Sequence, residues 1–107
     1  MYRFRVNSAV FNVVSESAKR HGRRTGTYLS SVCAKYIKDN PDPQRLYVYP
    51  DLERFCPSHN PTQKLAVNII SITLHNTDIE WFEAAMKEFN LTPAQVATNI
   101  VLLTMIS

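Results

Sequence analysis

Arginine and asparagine alternate with apolar side chains at the start of the chain, a pattern that can present hydrogen-bond donors on one face of a β-strand. Arg3, Arg5 and Asn7 share one face of the predicted strand, because successive strand residues point to opposite faces. The other face is apolar and consists of Tyr2, Phe4 and Val6. Long planar donors on a two-stranded ribbon can enter a DNA major groove and meet base edges. An edge strand whose arginines only stay hydrated and block aggregation explains the same six residues.

Basic side chains are concentrated in the first part of the chain. Residues 1–40 carry eight basic and two acidic side chains, a net charge of +6, whereas the remaining residues carry four basic and seven acidic ones, a net charge of −3. The overall charge of +3 hides this difference. On charge alone, the first third can attract a polyanion and the rest cannot.

Length and composition indicate one globular domain. The chain has 107 residues, of which 45% are hydrophobic and 20% charged. No run of 18 apolar residues occurs and the first residues lack a signal-peptide pattern, so we expect a cytoplasmic protein that does not associate with membranes. Cys33 and Cys56 are expected to be free thiols.

The sequence carries no enzyme signature, and we expect neither catalysis nor a cofactor. Two glycines leave no phosphate-cradling loop, and no nucleophile is accompanied by a base. Cys56 and His59 have the spacing of half a metal site, but no second pair accompanies them. We therefore expect no metal.

The first half of the chain predicts a strand followed by two helices. An apolar stripe predicts an amphipathic helix from about residue 8 that ends at Gly22, since glycine fits the left-handed position after a helix. The next helix stops before Asn40-Pro41, because a residue preceding proline avoids helical angles. Five of the six prolines then fall in residues 38–65, which predicts a linker.

The second half predicts the same order of elements. Residues 68–75 alternate in polarity, residues 77–80 have the pattern of a capping box, and Asn90 ends a helix. Thr92 and Pro93 open the last helix. A shift of 68 aligns the strands and first helices, and a shift of 67 aligns the second helices, with one residue lost in the turn. The pattern predicts units at residues 1–39 and 67–107, joined by a linker at residues 40–66, within one globular domain.

A single strand cannot satisfy its own backbone hydrogen bonds, so the two strands are expected to pair antiparallel about a pseudo-twofold axis. Residues 3–7 with the Gly22 turn, and residues 71–75 with the Asn90 turn, resemble the ribbon–helix–helix DNA-binding family. Two units in one chain are similar to TraY-type accessory proteins of plasmid transfer. The resemblance implies an α+β fold, mostly α, in which two ribbon–helix–helix repeats form a pseudo-twofold single-chain dimer with a two-stranded antiparallel ribbon.

The resemblance also implies which residues contact DNA. Base contacts fall to the outer face of the ribbon: Arg3, Arg5, Asn7, Ser71, Thr73 and His75. Phosphate contacts fall to the turn between helices and the start of each second helix: Arg23, Arg24, Thr25, Gly26, Thr27, Thr92 and Ala94. Pro93 lacks a backbone donor, and Leu91 stands where the first half has arginines, so the second half departs from the pattern.

Two functions follow from these observations. The first is sequence-specific binding of double-stranded DNA, as a transcriptional repressor or as an accessory in plasmid conjugation or phage DNA processing, with itself or another DNA-processing protein as a further partner. The second is a protein-interaction module or inhibitor that uses the acidic second half. The carboxylates that favour it are Asp78, Glu80, Glu83 and Glu88.

Overall fold

A computed structural model describes residues 2–6, 8–56 and 68–106 of the chain; for residues 3–5, 68 and 69 it describes the backbone. Two strands and five α-helices occur in these ranges. In chain order they are β1 (Tyr2–Val6), α1 (Ser8–Arg20), α2 (Thr25–Asp39), α3 (Leu52–Phe55), β2 (Asn68–Ile72), α4 (Asn76–Phe89) and α5 (Pro93–Val101), with a 3₁₀ turn at Pro43–Arg45 and a π-helical turn at Leu102–Ile106.

The fold class expected from the sequence is wrong: the protein is mainly α rather than α+β. Each half contributes one strand of five residues, so neither repeat carries a two-stranded ribbon of its own. The second strand is shorter than the alternation of residues 68–75 predicts, because β2 ends at Ile72 and the next three residues lead into α4. Polarity alternation alone does not fix where strand pairing stops.

The two short strands lie side by side and antiparallel. Arg3 is opposite Ser71 and Val6 is opposite Asn68. The second helix of each half contacts the strand of the other half: α2 packs on β2, and α5 packs on β1. Both halves therefore contribute to one core. Its fully buried members include Val14, Leu29, Cys33, Ile72, Phe82 and Ile100.

Helix ends agree with the sequence in the first half and at Asn90. Gly22 and Asn90 have φ values of 65° and 55°, the left-handed conformation that was predicted for both. Asn40 follows the last residue of α2, as the following proline predicts. The capping box at residues 77–80 is wrong, because α4 begins at Asn76 after His75, which makes no side-chain cap.

The offset between the second helices is also corrected. α1 and α4 begin at residues 8 and 76, and α2 and α5 begin at residues 25 and 93. One shift of 68 therefore relates both pairs of helices, and no residue is lost in the turn. The same shift places Arg3 on Ser71, which are direct partners in the strand pair.

Two buried amides of α5 anchor the segment that follows α2. The Asn99 Oδ1 accepts a hydrogen bond from the Tyr49 N–H at 2.9 Å, and the Asn99 Nδ2 donates to the Tyr47 carbonyl at 2.7 Å. The Gln95 Nε2 donates to the Cys56 carbonyl at 2.9 Å. Because buried amides without partners cost free energy, these bonds fix the segment against α5.

Both cysteines are free and buried, which confirms the expectation of free thiols. Burial, with a smaller contribution from Asp78, raises the pKa of the Cys33 thiol to about 12. Burial is also the largest cause that raises the pKa of Cys56. Thiolates react and thiols do not, so burial keeps Cys33 in the unreactive thiol form at neutral pH.

No single described helix is long and apolar enough to span a membrane. By length and composition alone, Asn76–Phe89 and Pro93–Ile106 pass such a test as a pair, with a bend of 99° between them.

Gly26 sits where α2 meets β2, and a Cβ there would overlap the carbonyl oxygen of Ser71. We expect Gly26→Ala to lower the free energy of unfolding by about 1–3 kcal/mol, because overpacking against backbone cannot be relieved by a side-chain rotation. Urea unfolding monitored by circular dichroism measures the change. Gly22→Asn is the matched control, since Gly22 has open space around it and Asn90 adopts the same conformation at the equivalent position. A neutral Gly26→Ala would contradict the packing of α2 on β2.

Candidate nucleic-acid interface

The first turn of α2 has backbone donors that the described residues do not use. Arg24 precedes the helix in an extended conformation and makes no side-chain cap. The N–H of Tyr28 bonds to the Arg24 carbonyl, but the N–H groups of Thr25, Gly26 and Thr27 find no acceptor within the described ranges. Free amides at a helix start attract anions, and the helix dipole adds to this.

This helix start lies against the strand pair. The Ser30 hydroxyl donates to the Gly26 carbonyl at 2.8 Å and accepts from the Thr73 N–H at 3.0 Å. Gly26 meets the backbone of Ser71 directly. The structure therefore brings together the first turn of α2 and the exposed residues Ser71 and Thr73.

Arginines surround the same helix start. Arg20, Arg23 and Arg24 are all exposed. The Arg23 guanidinium donates to the Ser31 hydroxyl at 3.0 Å, and its backbone N–H donates to the Ala18 carbonyl at 2.9 Å. These bonds hold the turn between α1 and α2 with its cationic groups in solvent. The positive charges of the arginines and the free amides at the helix start would therefore both attract the same anion.

His21 contributes to this turn by packing. Its Nδ1 lies 2.7 Å from the Ser17 carbonyl, and its ring stacks on Tyr28 with centroids 5.0 Å apart. The Tyr28 ring belongs to the first turns of α2, so the stack ties the end of α1 to the start of α2.

The start of α5 is closed by its own side chains. The Thr92 hydroxyl accepts from the Gln95 N–H at 3.2 Å, and the Gln95 Oε1 accepts from the Thr92 N–H at 3.1 Å. Pro93 has no N–H to offer. Thr92 and Ala94, which the resemblance assigns to phosphate, are half-buried at this closed start. Their assignment stays a prediction, with fewer donors to support it than at α2.

The residues assigned to base contact divide into two groups. Ser71, Thr73 and His75 are exposed, and His75 immediately precedes α4. Arg3 and Arg5 occupy β1, where the Arg3 position pairs with Ser71 and so shares its face of the strand pair. Asn7 lies outside the described residues.

Sequence reasoning missed the two side chains that organise these helix starts. Ser30 links α2 to Thr73, the residue directly after β2, and nothing in the residues around Ser30 distinguishes that role from an ordinary helical serine. Gln95 closes α5, and the spacing of Thr92 and Gln95 is the signal that identifies a capping box. The open start of α2 is visible only when the two helices are compared.

Metal binding has no support in the described parts of the chain. No group of three or more His, Cys, Asp and Glu side chains that could hold an ion occurs there. Cys56 is buried, and His59 lies outside the described residues.

Comparison of the chain with protein-family models, with curated proteins and with solved structures found no match.

The open start of α2 predicts that a capping side chain at position 24 would stabilise the protein. We expect Arg24→Ser to raise the free energy of unfolding by about 1 kcal/mol relative to Arg24→Ala, because a serine hydroxyl accepts from the free amides and alanine cannot. Both variants remove the same charge, so their difference in urea unfolding isolates the cap. Equal stability of the two variants would mean that these amides are already satisfied.

Proposed function

We propose that the protein binds double-stranded DNA, with a phosphate at the open first turn of α2 and the outer face of the β1–β2 pair in the major groove. The observation that carries the proposal is the contact between these two features, in which Ser30 joins Gly26 to Thr73. A helix start that binds phosphate fixes the register of a protein on DNA, and the adjacent strands can then reach base edges.

The dimensions support this placement. Paired strands lie about 4.8 Å apart, so two strands with their side chains fit the roughly 12 Å width of the major groove. Ser71 and Thr73 provide short hydroxyl groups on the exposed face. The Arg3 position is opposite Ser71, its equivalent under the shift of 68, so the pseudo-twofold axis passes through this pair.

The two halves are expected to contact DNA unequally. The first half has arginines at its helix turn and an open helix start, whereas the second half has Leu91 at its turn and a closed start. β1 carries Arg3 and Arg5, whereas the second half has Ser71 in β2 and Thr73 directly after it. Arginine favours guanine, whereas short hydroxyl groups can bond to more than one kind of base. We therefore propose a DNA target whose two half-sites differ in sequence.

The biological role within this proposal is that of a transcriptional repressor or an accessory protein in plasmid conjugation or phage DNA processing. It would act in the cytoplasm, where DNA is accessible. The same proposal includes a relationship to the ribbon–helix–helix family, which the chain resembles in the residues proposed to contact DNA. It also includes the binding of several copies in tandem to one site.

Phosphate contact predicts a steep dependence of DNA affinity on salt. We expect Arg23→Ala and Arg24→Ala each to weaken binding to any duplex and to reduce the slope of log affinity against log salt by about 1. Fluorescence anisotropy with a random duplex at several salt concentrations measures this slope. Lys87→Ala is the control, since it removes one exposed positive charge from α4, which carries none of the proposed contacts. Absence of binding to random duplex at low salt would contradict the proposal.

Base contact by β1 predicts a different signature for Arg5. We expect Arg5→Ala to weaken binding to a duplex selected from a random library by about 1–3 kcal/mol and to change random-duplex binding little. Anisotropy titrations with both duplexes measure the difference. An equal loss on both duplexes would show that Arg5 holds a phosphate rather than a base.

One observation favours the second candidate function, a protein-interaction module. Tyr2 stacks on Phe82 with centroids 5.5 Å apart, and its pKa is raised by burial and, to a smaller extent, by the charge of Glu83. A carboxylate close to the start of β1 opposes the approach of DNA from that side. The low-salt titration decides between the two, because a protein module has no reason to bind random duplex.

A further inference from the structure

A shallow groove lies between the end of α2 and the first turns of α4, on a part of the molecule that the DNA proposal does not use. It has a volume of about 410 Å³. The side chains that matter to it are Ile37, Pro41, Pro43, Asp78, Glu80 and Trp81. Ile37 and Trp81 are buried, whereas Pro41 and Glu80 are exposed, so the groove has a buried apolar base and a rim that presents both an apolar ring and a carboxylate.

The base of the groove is fixed before any partner arrives. The Trp81 indole Nε1 donates to the Asn40 carbonyl at 3.0 Å, and its ring meets Tyr36 edge to face with centroids 6.1 Å apart. The Asn40 Nδ2 donates to the Tyr36 carbonyl at 3.0 Å. Binding therefore does not have to order these side chains, which lowers its entropic cost.

The rim carries negative charge that the described residues do not neutralise. Asp78 is half-buried and Glu80 is exposed, and neither forms an ion pair within the described ranges. The charge of Asp78 reaches the interior, where it adds to burial in raising the pKa of the Cys33 thiol. A cationic side chain at this rim could pair with two carboxylates that lie next to apolar residues.

We propose that this groove binds an extended segment of another protein that carries lysine or arginine next to apolar or proline residues. Charge complementarity selects the basic residue through Asp78 and Glu80, and the accessible rings of Pro41 and Pro43 above the buried Trp81 accept the apolar side chain. Proline rings offer rigid contact area at little entropic cost.

The groove and the proposed phosphate site are at opposite ends of α2. Ile37 follows Thr25 by twelve residues, which corresponds to about 18 Å along a helix. Both sites can therefore be occupied at once, and the inference does not depend on DNA binding.

Trp81 is the only tryptophan in the chain, so its fluorescence reports on the groove without a label. The full chain is titrated with an acetylated nine-residue peptide in which Lys-Leu-Pro is repeated three times, and with a matched peptide in which glutamate replaces each lysine. We expect a saturable change in emission with the basic peptide and none with the acidic one. Asp78→Asn and Glu80→Gln should each weaken binding roughly two- to fivefold, as expected for an exposed ion pair.

Glu88→Gln is the matched control, because it removes the same charge from an exposed position near the other end of α4. We expect it to leave the peptide affinity unchanged. The proposal is overturned if the basic peptide leaves the emission unchanged, if the acidic peptide binds equally well, or if Glu88→Gln weakens binding as much as Glu80→Gln. Self-association that sedimentation detects and Glu80→Gln abolishes would also overturn it, because the occupant would then be a second copy. The DNA affinity of Glu80→Gln should equal that of the unmodified chain. A negative result for peptide binding therefore leaves the DNA proposal unaffected, and the reverse also holds.

Discussion

The contact between the first turn of α2 and strand β2 determines the rest of this structure. Gly26 lies directly against the Ser71 backbone, and the Ser30 hydroxyl satisfies both the Gly26 carbonyl and the Thr73 N–H. A side chain at position 26 would separate the helix from the strand. Because α2 comes from the first half of the chain and β2 from the second, this contact also joins the two halves into one core.

The difference between the two helix starts follows from how each half is tied to its surroundings. Gln95 closes the start of α5 through its Oε1, and its Nε2 donates to the Cys56 carbonyl and to a Glu53 carboxylate oxygen. One side chain therefore caps α5 and anchors the segment between the halves. Among the described residues no side chain closes the start of α2 in this way, and the amides of its first turn lie beside exposed arginines. The two halves of a duplicated architecture therefore differ: the start of α5 serves internal attachment, and that of α2 does not do so among the described residues.

Features set by local backbone chemistry could be predicted from the sequence. Gly22 and Asn90 take the left-handed conformation, Asn40-Pro41 ends α2, and Thr92 with Pro93 opens α5. Features that depend on tertiary contacts could not. The alternation of residues 68–75 predicts a longer β2 than the structure has, because strand pairing ends where the chain turns into α4. It therefore also overestimates the fraction of the chain that is in strands. The pattern at residues 77–80 suggests a cap, but the helix begins earlier, after His75.

In the candidate site, too, some features could be predicted from residue types and others depend on tertiary contacts. Residue types in the first third indicate an anion-binding surface, and the turn arginines are exposed as such a surface requires. The role of Ser30 has no local signal, since it depends on Thr73, which follows β2 and is 43 residues away in the sequence. The spacing of Thr92 and Gln95 indicates the closed start of α5, but the second role of Gln95, its bonds to the segment between the halves, depends on tertiary contacts.

The central claim is that the open start of α2 and the adjacent strand pair form one surface for DNA. An NMR titration of the labelled protein with duplex DNA tests it most directly, through the amide shifts of Thr25, Gly26 and Thr27. We expect these amides to shift together with those of Ser71 and Thr73, while the amides at the start of α5 change less. Shifts confined to α4, or none at all, would contradict the account.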